Sequence, residues 1–312
     1  MAATIKTVAV IGGGLMGHGI ALEFALHGYH VYLQSRSQES LARSHSMVET
    51  SAKLLVDLGK TTEDNTSNIV EQIKFTTSLA SAASDADFII ESIYESLDLK
   101  RGLFRELDAL ARSDAILASN TSSLLPSKLS EVTTKPERML NVHYLNPPHV
   151  SPFVEVVPSP STSTETTQIV MSLLREVGKK PILLKHEIEG FVASRLQGAL
   201  LREALWLVEN NIVSASDVDM AISTGLGRRW SAAGVLQVLE FAGWDLLYEI
   251  EKALFPHLST ANDSPLLREM VERGELGVKS GLGFYEWTPE KADSVRRMIA
   301  IELARDDHGT KS

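Results

Sequence analysis

The segment Val8-Ala9-Val10-Ile11-Gly12-Gly13-Gly14-Leu15-Met16-Gly17 constrains this chain more than any other. An apolar run that reads as a strand feeds straight into G-x-G-x-x-G, and Ile20, Phe24 and His27-Gly28 follow at the spacing of one helix face. Each glycine has a physical task in a dinucleotide-binding βα unit. Gly12 permits the tight turn, Gly14 lets backbone N–H groups approach a pyrophosphate, and Gly17 lets the helix pack close on the strand. Leu15 and Met16 complete the turn, and the anion would rest on the positive end of the helix. An ordinary glycine-rich turn is the alternative, and the strand before it and the helix after it weigh against that.

A ribose-binding Asp or Glu is expected about 20 residues after the glycines, at the end of the second strand. Here Val31-Tyr32-Leu33 runs into Gln34-Ser35-Arg36-Ser37, with no carboxylate to accept from a 2′-hydroxyl. A guanidinium flanked by hydroxyls suits a 2′-phosphate instead, through charge-assisted hydrogen bonds. Ser35 and Arg36 therefore favour NADP(H) over NAD(H), the alternative being a solvent-facing arginine with no cofactor role.

The 312 residues leave room for two domains, and 44% hydrophobic with 22% charged residues is ordinary globular composition. A formal net charge of −10 argues against nucleic acid or an anionic membrane surface as the main partner, and leaves a small-molecule substrate open. With no cysteine there is no disulfide, thiolate metal site or thiol nucleophile. The start Met1-Ala2-Ala3-Thr4-Ile5-Lys6 shows no targeting pattern, and no apolar run approaches membrane-spanning length, so the default expectation is cytoplasmic.

Strand-like runs Ile73–Phe75, Phe88–Ile90 and Ala115–Ala118 alternate with amphipathic stretches, which predicts a mainly parallel, doubly wound sheet covered by helices. Residues 38–70 carry Leu41, Met47, Leu54, Leu55 and Leu58 at helical spacing and read as a helical excursion. Between Leu140 and Val157 two short strands flank the turn-rich Asn146-Pro147-Pro148-His149; a helix over 165–178 and a strand over 181–184 follow. After Gly190 the pattern is helical only, with helices expected over 195–208, 215–223, around 235–254, 265–273 and 289–304. A Rossmann-like domain over 1–187 and an all-helical domain over 188–312 are the expected division, with a frayed polar tail from Asp306 to Ser312.

Several segments together resemble the 3-hydroxyacyl-CoA dehydrogenase family. They run from the glycine turn through Glu91-Ser-Ile-Tyr-Glu95, Ala118-Ser-Asn-Thr-Ser-Ser-Leu124, His143-Tyr-Leu-Asn-Pro147, Val154-Glu155-Val156 and Gly190-Phe191 to Gly277-Val-Lys-Ser-Gly-Leu-Gly-Phe-Tyr285. Asn-Pro-Pro after the histidine is the pattern of a branch that includes lambda-crystallin with L-gulonate 3-dehydrogenase activity and a pyridine-carboxylate dehydrogenase of vitamin B6 breakdown, whose substrates need not be CoA esters. The resemblance implies a Rossmann-like domain followed by a helical domain that forms a homodimer, and hydride transfer between a nicotinamide cofactor and C3 of a 3-hydroxy or 3-keto compound.

The residues make their own case at His143. Val142 and the apolar residues before it put His143 at the carboxyl end of a strand, where open α/β sheets hold their sites. Glu155 lies on the next strand, and Pro147-Pro148 can fold the segment so that the two side chains meet. A carboxylate against one imidazole nitrogen fixes the tautomer and leaves the other nitrogen to take a hydroxyl proton. A lone strand histidine is more often a core or surface residue, but the cofactor turn and Glu155 reverse that judgement. His149 reads as a loop histidine near the mouth, and His143 with His149 lacks a third ligand, so no metal site is expected.

By resemblance, Ser122 hydrogen-bonds the reacting oxygen, Asn146 orients His143 or its loop, Asn120 lies beside the nicotinamide, and Glu95 and Lys100 lie near the inner ribose. The plain alternatives are a turn and cap cluster over 120–123 and a solvated helix face around Lys100, with Asp98 and Arg101. Two departures from the family pattern stand out. Ser194 replaces the usual Asn in Gly190-Phe-Val-Ala-Ser-Arg-Leu196, and Gly227-Arg-Arg-Trp-Ser-Ala-Ala-Gly234 replaces a Pro-Met-Gly-Pro-like turn. Arg228 and Trp230 would clamp a carboxylate or cover a ring, or else form a dimer contact. The departures favour a substrate that is not strictly a CoA ester; an acyl-CoA substrate and a crystallin-like structural role are the rivals.

Overall fold

No face of the first strand is polar. In β1 (Thr7–Ile11) Val8 and Val10 enter one hydrophobic core while Ala9 and Ile11 enter another, all four at most 1% exposed. That is the signature of a strand covered on both sides, and it forces a helix layer on each face of the sheet. The computed structural model in which this is seen describes residues 5–305, Ser67 through its backbone alone; the tail expected to fray lies outside the described residues.

After β1 come α1 (Gly17–Leu26), β2 (His30–Gln34), α2 (Gln38–Asp57), α3 (Glu63–Gln72), β3 (Ile73–Thr76), α4 (Leu79–Ala83), β4 (Phe88–Glu91), α5 (Leu97–Leu110), β5 (Ile116–Ser119), α6 (Pro126–Ser130), β6 (Met139–Tyr144), β7 (Phe153–Pro158), α7 (Thr164–Glu176) and β8 (Lys180–Leu183). They build one sheet in the order β3-β2-β1-β4-β5-β6-β7-β8. β1 to β6 pair parallel; β7 is antiparallel to β6, and β8 parallel to β7. Strand order reverses between β1 and β4, which opens a crevice at the carboxyl ends of those two strands.

α1 is buried from Gly17 to Ala25, so its sequence is apolar nearly all round rather than on one stripe. The expected excursion over 38–70 is two helices. Ser37 caps α2 by accepting from the Ser40 N–H, and Thr62 caps α3 by accepting from the Asn65 N–H.

The chain divides into two compact units, one formed by residues up to Val192 together with those from Arg296 on, the other by Ala193–Val295. The second begins with α8 (Ala193–Glu209) and α9 (Ala215–Met220), continues through a π-helical turn (Ala221–Leu226) into α10 (Gly227–Ala233), and proceeds with α11 (Val235–Glu240), α12 (Trp244–Leu254) and α13 (Pro265–Glu272). α14 (Pro289–Ala304) runs across the division in sequence. Residues 227–233, outside the helices expected from sequence, are helical because the π-turn carries α9 onward and no proline interrupts them. Breaks fall instead at Gly234 and Gly243, with φ of 71° and 84°. Among the described residues no helix is long and apolar enough to cross a membrane.

Candidate active site

Neighbouring backbone closes the glycine turn at two positions and leaves a third open. A Cβ on Gly17 would fall 1.8 Å from the Gly12 carbonyl oxygen, and one on Gly12, at φ 100°, would fall 2.7 Å from the Ser92 carbonyl oxygen. A Cβ on Gly14 would meet nothing within 4 Å. Packing therefore explains Gly12 and Gly17, whereas the space over Gly14 suits a ligand that comes close to the backbone. The N-terminus of α1 has no side-chain cap and no acidic residue in its first turn, so its N–H groups and dipole are available to an anion. Leu15 is 63% exposed above the turn. These residues fit a dinucleotide pyrophosphate.

At the end of β2, Gln34 is committed to the Ser35 and Thr77 carbonyls, which its amide reaches at 3.2 Å. Ser35 is buried, and its hydroxyl accepts from the Gly13 N–H at 3.3 Å and lies 3.1 Å from the Ser44 hydroxyl. Ser35 thus braces the glycine turn, and only Arg36 of the expected pair reaches solvent.

At the end of β4, the fully buried Glu91 accepts from Lys100 at 2.7 and 2.8 Å and from Ser119. Lys100, 1% exposed, also lies 3.4 Å from Glu95. It is not on a solvated helix face, and its ammonium holds two carboxylates rather than pointing outward to a ribose. Burial pushes the Glu95 carboxyl up, but hydrogen bonds from Thr121 and Ser123 and the charge of Lys100 outweigh that and hold it below the usual range. Glu95 thus brings an ionised oxygen to the crevice edge. Asn120 donates to the Ser92 hydroxyl at 3.3 Å and accepts from the Tyr144 N–H at 2.9 Å, linking the ends of β4, β5 and β6.

The β6–β7 register places His143 directly opposite Glu155. Nδ1 of His143 lies 2.7 Å from Oε2 of the fully buried Glu155, whose Oε1 accepts from the Val192 N–H at 2.7 Å. Anchored at both oxygens, the carboxylate fixes the ring and selects the Nδ1–H tautomer, which leaves Nε2 as the acceptor. The Phe191 ring packs 5.5 Å from the imidazole centroid. Ser122 and Asn146 are exposed. Asn146 makes no hydrogen bond to His143; it enters the connecting loop through a cis bond to Pro147.

His149 is not a histidine at the mouth. It packs onto α1, where a Cβ on Gly19 would come within 2.6 Å of its Nδ1, and neither ring nitrogen has a partner or meets solvent. Burial, with the charges of His18 and Lys179, pushes its pKa down to about 3. Beside it lies a pair that sequence reading passed over: Lys179 bridges to Glu23 of α1 at 2.6 Å, both buried. Glu23 was the visible signal, a lone carboxylate in the apolar run Ile20–Leu26. Burial pushes it up to about 7 against the pull of Lys179.

Ser194, Arg228 and Trp230 belong to the second unit. Ser194 opens α8, and Arg228 and Trp230 lie on α10, Arg228 exposed and Trp230 half-buried. No group of three or more potential metal-ligating side chains occurs among the described residues.

Comparison with known proteins extends the resemblance carried by the motifs. The profile of the 3-hydroxyacyl-CoA dehydrogenase NAD binding domain matches residues 7–188, and that of the C-terminal domain matches residues 190–287. The chain is 33% identical over 303 residues to 5-formyl-3-hydroxy-2-methylpyridine 4-carboxylate 5-dehydrogenase of Mesorhizobium japonicum, across 95% of this chain and 97% of that protein. A crystal structure of an enzyme of that name, described as an NAD+ dependent dismutase, gives a TM-score of 0.89 at 32% identity and covers 96% of this chain and 97% of its own. A probable 3-hydroxybutyryl-CoA dehydrogenase of Deinococcus radiodurans is 35% identical over 282 residues, 89% of this chain and 99% of the relative. Matches of this extent in both parts of the sequence carry the conclusion: the chain belongs to the 3-hydroxyacyl-CoA dehydrogenase family of nicotinamide-dependent oxidoreductases.

Proposed function

We propose that the protein is a dehydrogenase/ketoreductase acting at C3 of a 3-hydroxy or 3-keto compound that is a free acid or aromatic carboxylate rather than strictly a CoA ester. The observation that carries the chemistry is the His143–Glu155 contact at the carboxyl end of β6. When bound, the nicotinamide supplies the hydride acceptor or donor. Nε2 of His143 takes the hydroxyl proton on oxidation and returns it on reduction, Glu155 stabilises the imidazolium that forms, and Ser122 offers a hydrogen bond to the reacting oxygen. Gly12, Gly14, Leu15, Met16 and Gly17 hold the pyrophosphate; Glu95, Asn120 and, through Glu95, Lys100 order the nicotinamide half.

The free-acid reading rests on Ser194 in place of the family's Asn, on Arg228 and Trp230 as carboxylate and ring contacts, and on likeness to the pyridine-carboxylate enzyme. Likeness to the 3-hydroxybutyryl-CoA enzyme favours a CoA ester as the second reading. Cofactor preference is for NADP(H), because residues 34–37 at the end of β2 offer no carboxylate to a ribose 2′-hydroxyl and Arg36 is the exposed cation. Residues 1–187 form the dinucleotide domain, and 188–312 supply substrate contacts and the face of a homodimer that works in the cytoplasm. Titration with NADPH and NADH, then turnover on 3-keto acids, their CoA esters and aromatic carbonyls, tests this. Turnover of a free acid with NADPH supports the reading, whereas turnover of acetoacetyl-CoA alone, with NADH, overturns it.

A further inference from the structure

We propose that Lys179 and Glu23 are positioning residues that lock the loop joining the strands of His143 and Glu155 onto the cofactor helix α1. The inference rests on the acid/base role of His143 and extends it to how that residue is held relative to the dinucleotide.

The Lys179 ammonium donates to the carbonyls of Pro148 and Ser151, both at 2.7 Å, and to Glu23 Oε1 at 2.6 Å. Two acceptors lie in the 145–152 loop and the third on α1. The backbone of Lys179 is itself fixed, its N–H bonded to Leu174 O at 2.9 Å, while the N–H of Lys180 bonds to Pro152 O at 2.7 Å. One turn earlier on α1 the loop also lies against bare helix backbone, because a Cβ on Gly19 would meet His149 Nδ1 at 2.6 Å and Pro148 Cγ at 2.8 Å. Ammonium and glycine thus seat the same loop on the same helix at two points one turn apart.

Stability alone does not explain an ion pair here. A buried pair is often replaced by apolar side chains without loss, and this one leaves Glu23 Oε2 buried without a partner, with Tyr144 Oη and both His149 nitrogens in the same state. What the pair supplies that an apolar pair cannot is direction: a three-way hydrogen-bonding centre between the element that receives the pyrophosphate and the hairpin that carries the acid/base pair. Misplacement of a catalytic group by about an ångström is costly in rate, so such a centre acts on turnover more than on folding.

Hydrogen exchange with and without the dinucleotide that binds more tightly, NADPH or NADH, tests this. Three proteins are compared: wild type, Glu23→Gln, which keeps an acceptor for Lys179, and Glu23→Leu with Lys179→Met, which replaces the ions by apolar groups and so avoids a stranded charge. In wild type and Glu23→Gln, dinucleotide slows exchange over 12–26 and also over 145–152. In the double variant the slowing stays at 12–26 and vanishes at 145–152, while kcat falls on the order of 10- to 100-fold with dinucleotide affinity unchanged. Gly19→Ala, which pushes the loop away from the helix side, gives the same pattern should the double variant not fold. Undiminished protection of 145–152 in both cut variants overturns the positioning role alone. Failure of the wild type to bind either dinucleotide overturns the reading on which it rests.

Discussion

His143 and Glu155 face each other across the β6–β7 ladder with Nδ1 and Oε2 2.7 Å apart, and the other carboxylate oxygen is held by the Val192 N–H. Oriented acid/base catalysis contributes about 10²–10⁴-fold in rate, so His143→Ala is expected to lose that much kcat. Dinucleotide affinity, measured by fluorescence titration, should not change, because the glycine turn lies on other strands. Near-wild-type turnover in His143→Ala would remove the histidine from the mechanism.

Gly17 and Gly14 separate folding from binding. Gly17→Ala puts a Cβ 1.8 Å from the Gly12 carbonyl and is expected to destabilise the protein by about 1–3 kcal/mol, seen as a lower melting temperature. Gly14→Ala meets no protein atom and should melt like wild type, yet bind dinucleotide at least about tenfold more weakly through loss of close backbone contact. If Gly14→Ala binds normally, the open space above it is not the pyrophosphate site.

Arg36 alone tests the cofactor preference, since the Ser35 hydroxyl is occupied by the Gly13 N–H. A charge-assisted hydrogen bond is worth about 1.5–3 kcal/mol, so Arg36→Gln should lower the NADPH/NADH ratio of kcat/KM by roughly 10- to 150-fold. An unchanged ratio would mean that the guanidinium does not meet the 2′ position.

His149 and Glu23 give the fold opposed pH dependences. The folded pKa of His149, about 3, lies below its ordinary 6.5, so the unfolded chain takes up the proton first and this stability is lost as pH falls below 6.5. Glu23, raised from 4.5 to about 7, holds a proton in the fold that the unfolded chain has released, so its contribution is lost as pH rises from 4.5 towards 7. His149→Leu removes the first effect and exposes the second. Calorimetry at pH 5 and pH 7.5 should show its melting temperature at pH 5 rising relative to that at pH 7.5 when compared with wild type; an unaltered difference would mean that His149 titrates normally in the fold.

What was legible in the sequence is what is local. The glycine turn, the alternation of buried strands and helices, and the hairpin holding His143 opposite Glu155 each lie within a short stretch, where period and turn chemistry speak directly. Lys100, placed near the ribose by resemblance, has a solvated face as its plain alternative because Asp98 and Arg101 beside it are charged, and its inward direction is set by Glu91 at the end of a different element. His149 reads as a loop tip after two prolines, and only the absent side chain of Gly19, far back in the chain, makes room for it against α1. Lys179 and Glu23 are each visible as charges, but their meeting depends on how α1 and the β6–β7 loop stack, which no local pattern encodes.

Side-chain alternation along β6 and β7 also makes the facing of His143 and Glu155 a matter of parity. A one-residue insertion in β7 ahead of Glu155 would turn its carboxylate to the other face of the sheet, and a two-residue insertion would keep the face but carry it about 7 Å along the strand. Neither is neutral, and the 145–152 connection is tied as well, because the Pro148 and Ser151 carbonyls both meet the Lys179 ammonium. The count along the strands of this hairpin is therefore fixed by the facing side chains, and the length of its tip by the carbonyls that must reach Lys179.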